Sequence, residues 1–279
     1  MVVLNTSLKA SMNARIIGSS SGDTVILAHG FGADQSIWDK IIPSLAQSYR
    51  VLMFDWHFSA AAKDPNEFDP IKYSCLDAFA KDLIALLDEM NLTSSVFVGH
   101  SMSGMVGCLA SIKRADLFKR LVLIGASPRY MNSEDYEGGF EKPLIDQIFA
   151  SIESNFTEWA TNFASLVVDA NDPPSVQIFE KMLSKMKPEV ALPMAKVVFC
   201  SDYRSSLEKV LVPCTIIQMT DDIVVPNSVV YYMQKKIKGK TTVEMIEGTG
   251  HFPQLTKNKL LVDVLDKVVS LDCEERKSI

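Results

Sequence analysis

The sequence predicts an α/β fold, a mostly parallel central sheet flanked by helices, with a helical segment inserted late in the chain. Three observations carry that expectation. Short β-branched and apolar runs at 24–28, 49–54, 96–98 and 121–124 alternate with stretches of helical period. Residues 96–104 read as a buried strand, a sharp turn with Ser101 at its apex, and the start of a helix of small and apolar residues reaching Lys113. Between Asn132 and Asp202 the alternation stops, and only helical signals remain.

The elements follow in order. Residues 12–17 form a first strand and 18–22 a turn. The strand Thr24–Ala28 ends in His29-Gly30-Phe31-Gly32, a glycine-rich bend that leaves backbone N–H groups free to face a ligand. Residues 36–47 read as one short helix, with Ile37, Trp38, Ile41 and Leu45 on one face. The strand at 49–54 leads into Asp55-Trp56-His57-Phe58-Ser59-Ala60, a turn without glycine. Ser74 is placed to cap a helix reaching about Met90, with Leu76, Phe79, Leu83, Leu86 and Leu87 at helical spacing.

After the strand at 121–124, four helices are expected at 143–152, 156–168, 175–186 and 189–199. Prolines fall at or near their starts, where the missing N–H is tolerated. This divides the chain into a body, 1–128 and 203–279, and a helical lid, 129–202. The body resumes with strands at 212–219 and 243–246 and closes with a helix at 258–271; the charged tail 273–279 is expected to fray.

Composition narrows the function. Of 279 residues 47% are hydrophobic, enough for one large core. A formal net charge of −6 and the lack of a Lys/Arg run argue against a nucleic-acid surface. No stretch approaches 18 apolar residues, and residues 1–9 lack the marks of a signal peptide, so neither membrane nor export is expected. Five cysteines form no CxxC pair and no metal spacing with the four histidines, so they read as free thiols, with no metal and no cofactor expected.

The chemistry is that of an activated serine. A strand–turn–helix elbow lifts Ser101 above the strand ends, and the backbones nearly touch there, so small residues are needed on either side. Gly99 meets this; the position two beyond the serine is Ser103 rather than the usual glycine. Serine needs a base, and the base an orienting acid. Ser101, Asp222 and His251 follow in the order of an α/β-hydrolase fold, each just past a strand. Asp221 competes for the acid role, and His57 is a base by residue type only. His100, adjacent to the serine, points elsewhere. The N–H groups of Phe31 and Met102 would form the oxyanion hole. Lid aromatics either seal the lid or line an apolar pocket; the pocket candidates are His100, Phe140, Trp159, Phe163, Phe179, Phe199, Val224 and Phe252.

Several stretches carry a more specific resemblance: His29-Gly30-Phe31-Gly32-Ala33-Asp34-Gln35-Ser36, Ser127-Pro128-Arg129-Tyr130, Tyr136-Glu137-Gly138-Gly139-Phe140 and Gly250-His251-Phe252-Pro253-Gln254-Leu255. With the elbow, they resemble the plant strigolactone and karrikin receptors, the dwarf-fourteen-like α/β-hydrolases, over most of the chain. The loop spacing of those relatives, with the acid four residues before a proline, favours Asp222 over Asp221. The resemblance implies a four-helix lid and slow hydrolysis of a small apolar butenolide-like ligand. It further implies a cytoplasmic and nuclear receptor that recruits an F-box protein and its repressor targets; a monomer is expected. The turn at 55–60, glycine-bearing in the receptors, makes the sequence most similar to the dwarf-fourteen-like-two branch. That turn is expected to reshape the ligand site. A metabolic carboxylesterase and a binding protein with a vestigial triad remain the alternatives.

Overall fold

The computed structural model describes residues 7–62 and 68–274. The first half runs α1 (Leu8–Ser11), β1 (Arg15–Gly18), β2 (Thr24–Ala28), α2 (Ile42–Ser48), β3 (Arg50–Met53), α3 (Leu76–Glu89), β4 (Ser95–His100), α4 (Met102–Lys113) and β5 (Phe118–Ile124). Four helices follow, α5 (Lys142–Ser154), α6 (Phe156–Val167), α7 (Pro173–Leu183) and α8 (Pro188–Phe199). The chain closes with β6 (Cys214–Asp221), α9 (Asn227–Lys236), β7 (Thr241–Thr249), α10 (Pro253–Thr256) and α11 (Asn258–Glu274). The side chains of the tail, Cys273 included, lie outside the described residues.

The strands form one sheet in the order β1-β3-β2-β4-β5-β6-β7, with only β1 antiparallel to its neighbour. β4 lies at the centre and is buried along its whole length, as a strand covered by helices on both faces must be. That burial is why Val96, Phe97 and Val98 form an unbroken apolar run. β7 sits at the edge, and all its residues but Ile246 are exposed or part-exposed.

Two local expectations fail for identifiable reasons. Residues 36–47 are a 3₁₀ turn, Gln35–Trp38, followed by the separate α2. Pro43 sits in the first turn of α2; inside one continuous helix it would lack a donor and clash with the preceding turn. Ser74 does not cap α3. Cys75 is the N-cap and makes no side-chain cap bond, and the Leu76 N–H donates instead to the Tyr203 hydroxyl at 2.9 Å.

Between β5 and β6, α5 packs on α8 and α6 on α7, with α5 against α6. Short bonds tie this insertion to the body. The His251 N–H donates to Val167 O at 2.7 Å, and Lys40 Nζ bridges Ser175 Oγ at 3.0 Å and Leu255 O at 2.8 Å. The helices therefore roof the C-terminal ends of the parallel strands, where ligands of open α/β sheets bind. Trp56, His57 and Phe58 turn into the body. Trp56 packs edge-on against Phe54 and Phe79, with ring centroids 4.8 and 5.5 Å away.

Candidate active site

Ser101 stands between β4 and α4 with φ 57° and ψ −125°, a conformation L residues rarely adopt. Its surroundings enforce it. Ser101 N–H donates to Ile124 O at 2.8 Å, and a Cβ on Gly99 would lie 2.6 Å from the Ser103 backbone. Strand and helix thus meet at van der Waals contact, and only glycine fits at position 99. The Ser101 hydroxyl pairs with the Tyr130 hydroxyl at 3.2 Å. Burial raises the Tyr130 phenol well above its ordinary range, so it remains a protonated partner at working pH.

His251 and Asp222 come from the loops after β7 and β6, and His251 Nδ1 lies 2.8 Å from Asp222 Oδ2. The acid is held from several sides. Its Oδ1 accepts the N–H groups of Val224 and Val225 at 2.8 and 3.3 Å, and Oδ2 also accepts Gln218 Nε2 at 3.0 Å. A carboxylate accepts only, so the proton of the His251 bond sits on Nδ1 and leaves Nε2 as the basic nitrogen. Nε2 is buried and has no hydrogen-bond partner among the described residues. Gly125, at φ +54°, makes room for the pair: a Cβ there would lie 2.9 Å from His251 Cε1. Asp221 faces away, exposed, and accepts Thr249 Oγ1 at 3.1 Å.

The backbone N–H groups of Phe31 and Met102 donate to no protein acceptor among the described residues. Met102 opens α4, where N–H groups lack intrahelical partners and the helix dipole favours negative charge. A Cβ on Gly30 would lie 3.0 Å from Ser101 Cβ, so the bend carrying Phe31 is packed directly on the elbow.

A tight cavity of about 30 Å³ joins these groups, lined by Phe31, His100, Ser101, His251 and Phe252 from the body and Tyr130, Phe163, Phe179 and Phe199 from the inserted segment. Val167, Val198 and Val224 complete it. Six of the eight pocket candidates therefore face the cavity. Phe140 and Trp159 do not. Phe140 packs behind Phe199, 5.2 Å between centroids, and Trp159 stacks on the far side of Phe163 at 5.1 Å. Nor do Trp56, His57 or Phe58 line the cavity, and all three are buried, so the glycine-free turn makes neither an inward plug nor an exposed aromatic patch. His57 bonds Ser11 Oγ at 3.2 Å and Tyr73 OH at 2.6 Å, away from Ser101. His100 donates from Nε2 to His251 O at 2.8 Å, and burial pushes its pKa well down, so it is a neutral prop. Tyr130, Gln218, Val167 and Val198 are site residues that sequence reasoning passes over. The signal for Tyr130 was its place just after β5, at a strand end on the ligand-binding edge.

The α/β-hydrolase fold model matches residues 23–258. The chain is 41% identical over 266 residues to the karrikin insensitive 2 receptor IA of Petunia hybrida, covering 95% of this chain and 96% of that protein. It is 41% identical over 269 residues to the strigolactone esterase RMS3 of Pisum sativum, covering 96% and 100%. The chain belongs to the α/β-hydrolase family of strigolactone esterases and karrikin receptors. Among solved structures, this α/β-hydrolase superposes on the hydrolase olei00960 of Oleispira antarctica with a TM-score of 0.90 at 31% identity, covering 94% of this chain and 96% of that one.

Proposed function

We propose that this α/β-hydrolase slowly cleaves an ester or enol-ether bond of a small butenolide-type ligand through Ser101, His251 and Asp222. The observation that carries the reading is the 2.8 Å Asp222–His251 bond, whose free Nε2 belongs to the same buried cavity as Ser101. Rotation about χ1 moves the Ser101 hydroxyl from Tyr130 to Nε2, which takes its proton as Oγ bonds to the ligand carbonyl carbon. The carbonyl oxygen gains the negative charge between the Phe31 and Met102 N–H groups. Collapse breaks the bond to the leaving oxygen, which receives the proton from His251. Water then repeats the sequence and frees Ser101. Asp222 holds the tautomer throughout.

The cavity is tight, about 30 Å³, and its aromatic lining suits a compact apolar ring with one carbonyl. Near-complete coverage of relatives named as karrikin receptors and strigolactone esterases supports a sensing role; an F-box partner and cytoplasmic and nuclear residence belong to this reading through the receptor resemblance alone. The glycine-free turn at 55–60 supports placement in the dwarf-fourteen-like-two branch. Release of the leaving group from a butenolide enol ether tests the chemistry. Ser101→Ala is expected to slow it by roughly 10⁴-fold or more. Parental turnover by that variant would remove Ser101 from the reaction. Rapid multiple turnover of unrelated small esters, with no ligand-dependent partner, would instead identify a metabolic carboxylesterase.

A further inference from the structure

Two positions depart from the expected pattern: Ser103 beyond the elbow, and Trp56 in the turn without glycine. They are 47 residues apart in sequence, and they meet. Trp56 Nε1–H is shared between Ser103 Oγ at 2.9 Å and His29 O at 3.0 Å, and the Ser103 hydroxyl donates to the same His29 O at 2.5 Å. All three residues are fully buried. Edge-on packing against Phe54 and Phe79 keeps the indole from swinging away.

A second bond leaves Trp56 from its backbone. Its N–H donates to His29 Nε2 at 3.2 Å, so that nitrogen is an acceptor and the imidazole proton sits on Nδ1. Nδ1–H donates in turn to Gly30 O at 2.9 Å. The Gly30 carbonyl and the Phe31 N–H belong to one planar peptide unit and point in opposite directions, so fixing the oxygen aims the N–H. The carbonyl of His29 fixes the preceding plane. Gly30, the most permissive residue type, is thus held from both sides by bonds that trace back to Trp56.

We propose that Trp56, together with Ser103, is a positioning residue that aims the Phe31 N–H at the developing oxyanion. This rests on the serine-hydrolase reading above. Ground-state ester binding does not use that alignment, so the device acts on the chemical step.

The test compares acylation of Ser101 by p-nitrophenyl acetate in the parental protein, Trp56→Phe, Ser103→Ala and the double variant, with melting temperatures alongside. Trp56→Phe is expected to slow acylation by about 10- to 100-fold, with KM unchanged within about two-fold. Ser103→Ala should lose about 3- to 10-fold, and the double variant less than the product of the two, as for groups acting on one carbonyl. Parental acylation by a folded Trp56→Phe, or a loss appearing wholly as a raised KM, overturns the proposal. If Trp56→Phe does not fold, Ser103→Ala decides: slowed acylation supports the proposal and the parental rate overturns it. A parental protein whose Ser101 is never acylated overturns the hydrolase reading and this one together, whereas a reactive parent beside equally reactive variants overturns this one alone.

Discussion

Asp221 and Asp222 are neighbours in the chain with unlike surroundings. Four donors converge on the buried Asp222 carboxylate, while Asp221 accepts one threonine hydroxyl at the surface. Asp222→Asn should therefore lower kcat on an activated ester by about 10⁴-fold, through loss of the correct His251 tautomer, and Asp221→Asn should leave it within about two-fold. Comparing the two variants' kcat checks this; the reverse ranking would reassign the acid. Two other histidines set a pH limit on stability. Burial lowers the pKa of His100 and of His29 from 6.5. The unfolded chain therefore binds more protons than the folded one below about 6.5, so stability is full above that pH and falls as the pH drops beneath it. Thermal melts between pH 7.5 and 5 should show this acid limb, flatter in His100→Asn. At this scale the sequence pointed to Ser101, Asp222 and His251 as candidates, because each follows a strand and each residue type suits its proposed role. Gln218 was illegible because an amide within a strand announces no role, and Tyr130 was signalled only by its place after β5; the fold brings Tyr130 to Ser101 and Gln218 to Asp222.

At the scale of elements, glycines decide where the lid can meet the body. Gly250 has φ +98°, and a Cβ there would fall 1.8 Å from Val168 O. Gly250→Ala must push α6 from the His251 loop, costing about 2 kcal/mol or more, as a lowered melting temperature with a loss of activity will show. The lid phenylalanines divide by their contacts. Phe199 touches both Tyr130 and Phe140, so Phe199→Ala should cost about 3–5 kcal/mol. Phe163 has Trp159 on one side and the cavity on the other, so Phe163→Ala should cost less stability and change ligand selectivity more. Melts beside binding isotherms separate the two; equal stability losses with unchanged affinity would make both residues seals. Strands and lid helices were legible because their apolar spacing matches their burial. The inward or backward orientation of Phe140 and Trp159 was not, since both are apolar residues of the lid region and only packing tells front from back.

At the scale of the whole molecule, the parallel strands bring loops far apart in sequence to one edge of the sheet, and the four-helix insertion covers that edge. Ser101 follows β4, Asp222 follows β6 and His251 follows β7, while the bend after β2 supplies Phe31. The sheet thus supplies the geometry, and the lid helices contribute Phe163, Phe179 and Phe199 to the cavity wall. In the proposed reaction these loops together make Ser101 a nucleophile. Intact mass spectrometry after brief incubation with a butenolide enol ether, followed by peptide mapping, tests it most directly. A covalent adduct that depends on Ser101 is expected, mapping to Ser101 or, after transfer, to His251, and absent from Ser101→Ala. An equal adduct on Ser101→Ala, or ligand cleaved at the parental rate by that variant, would contradict it.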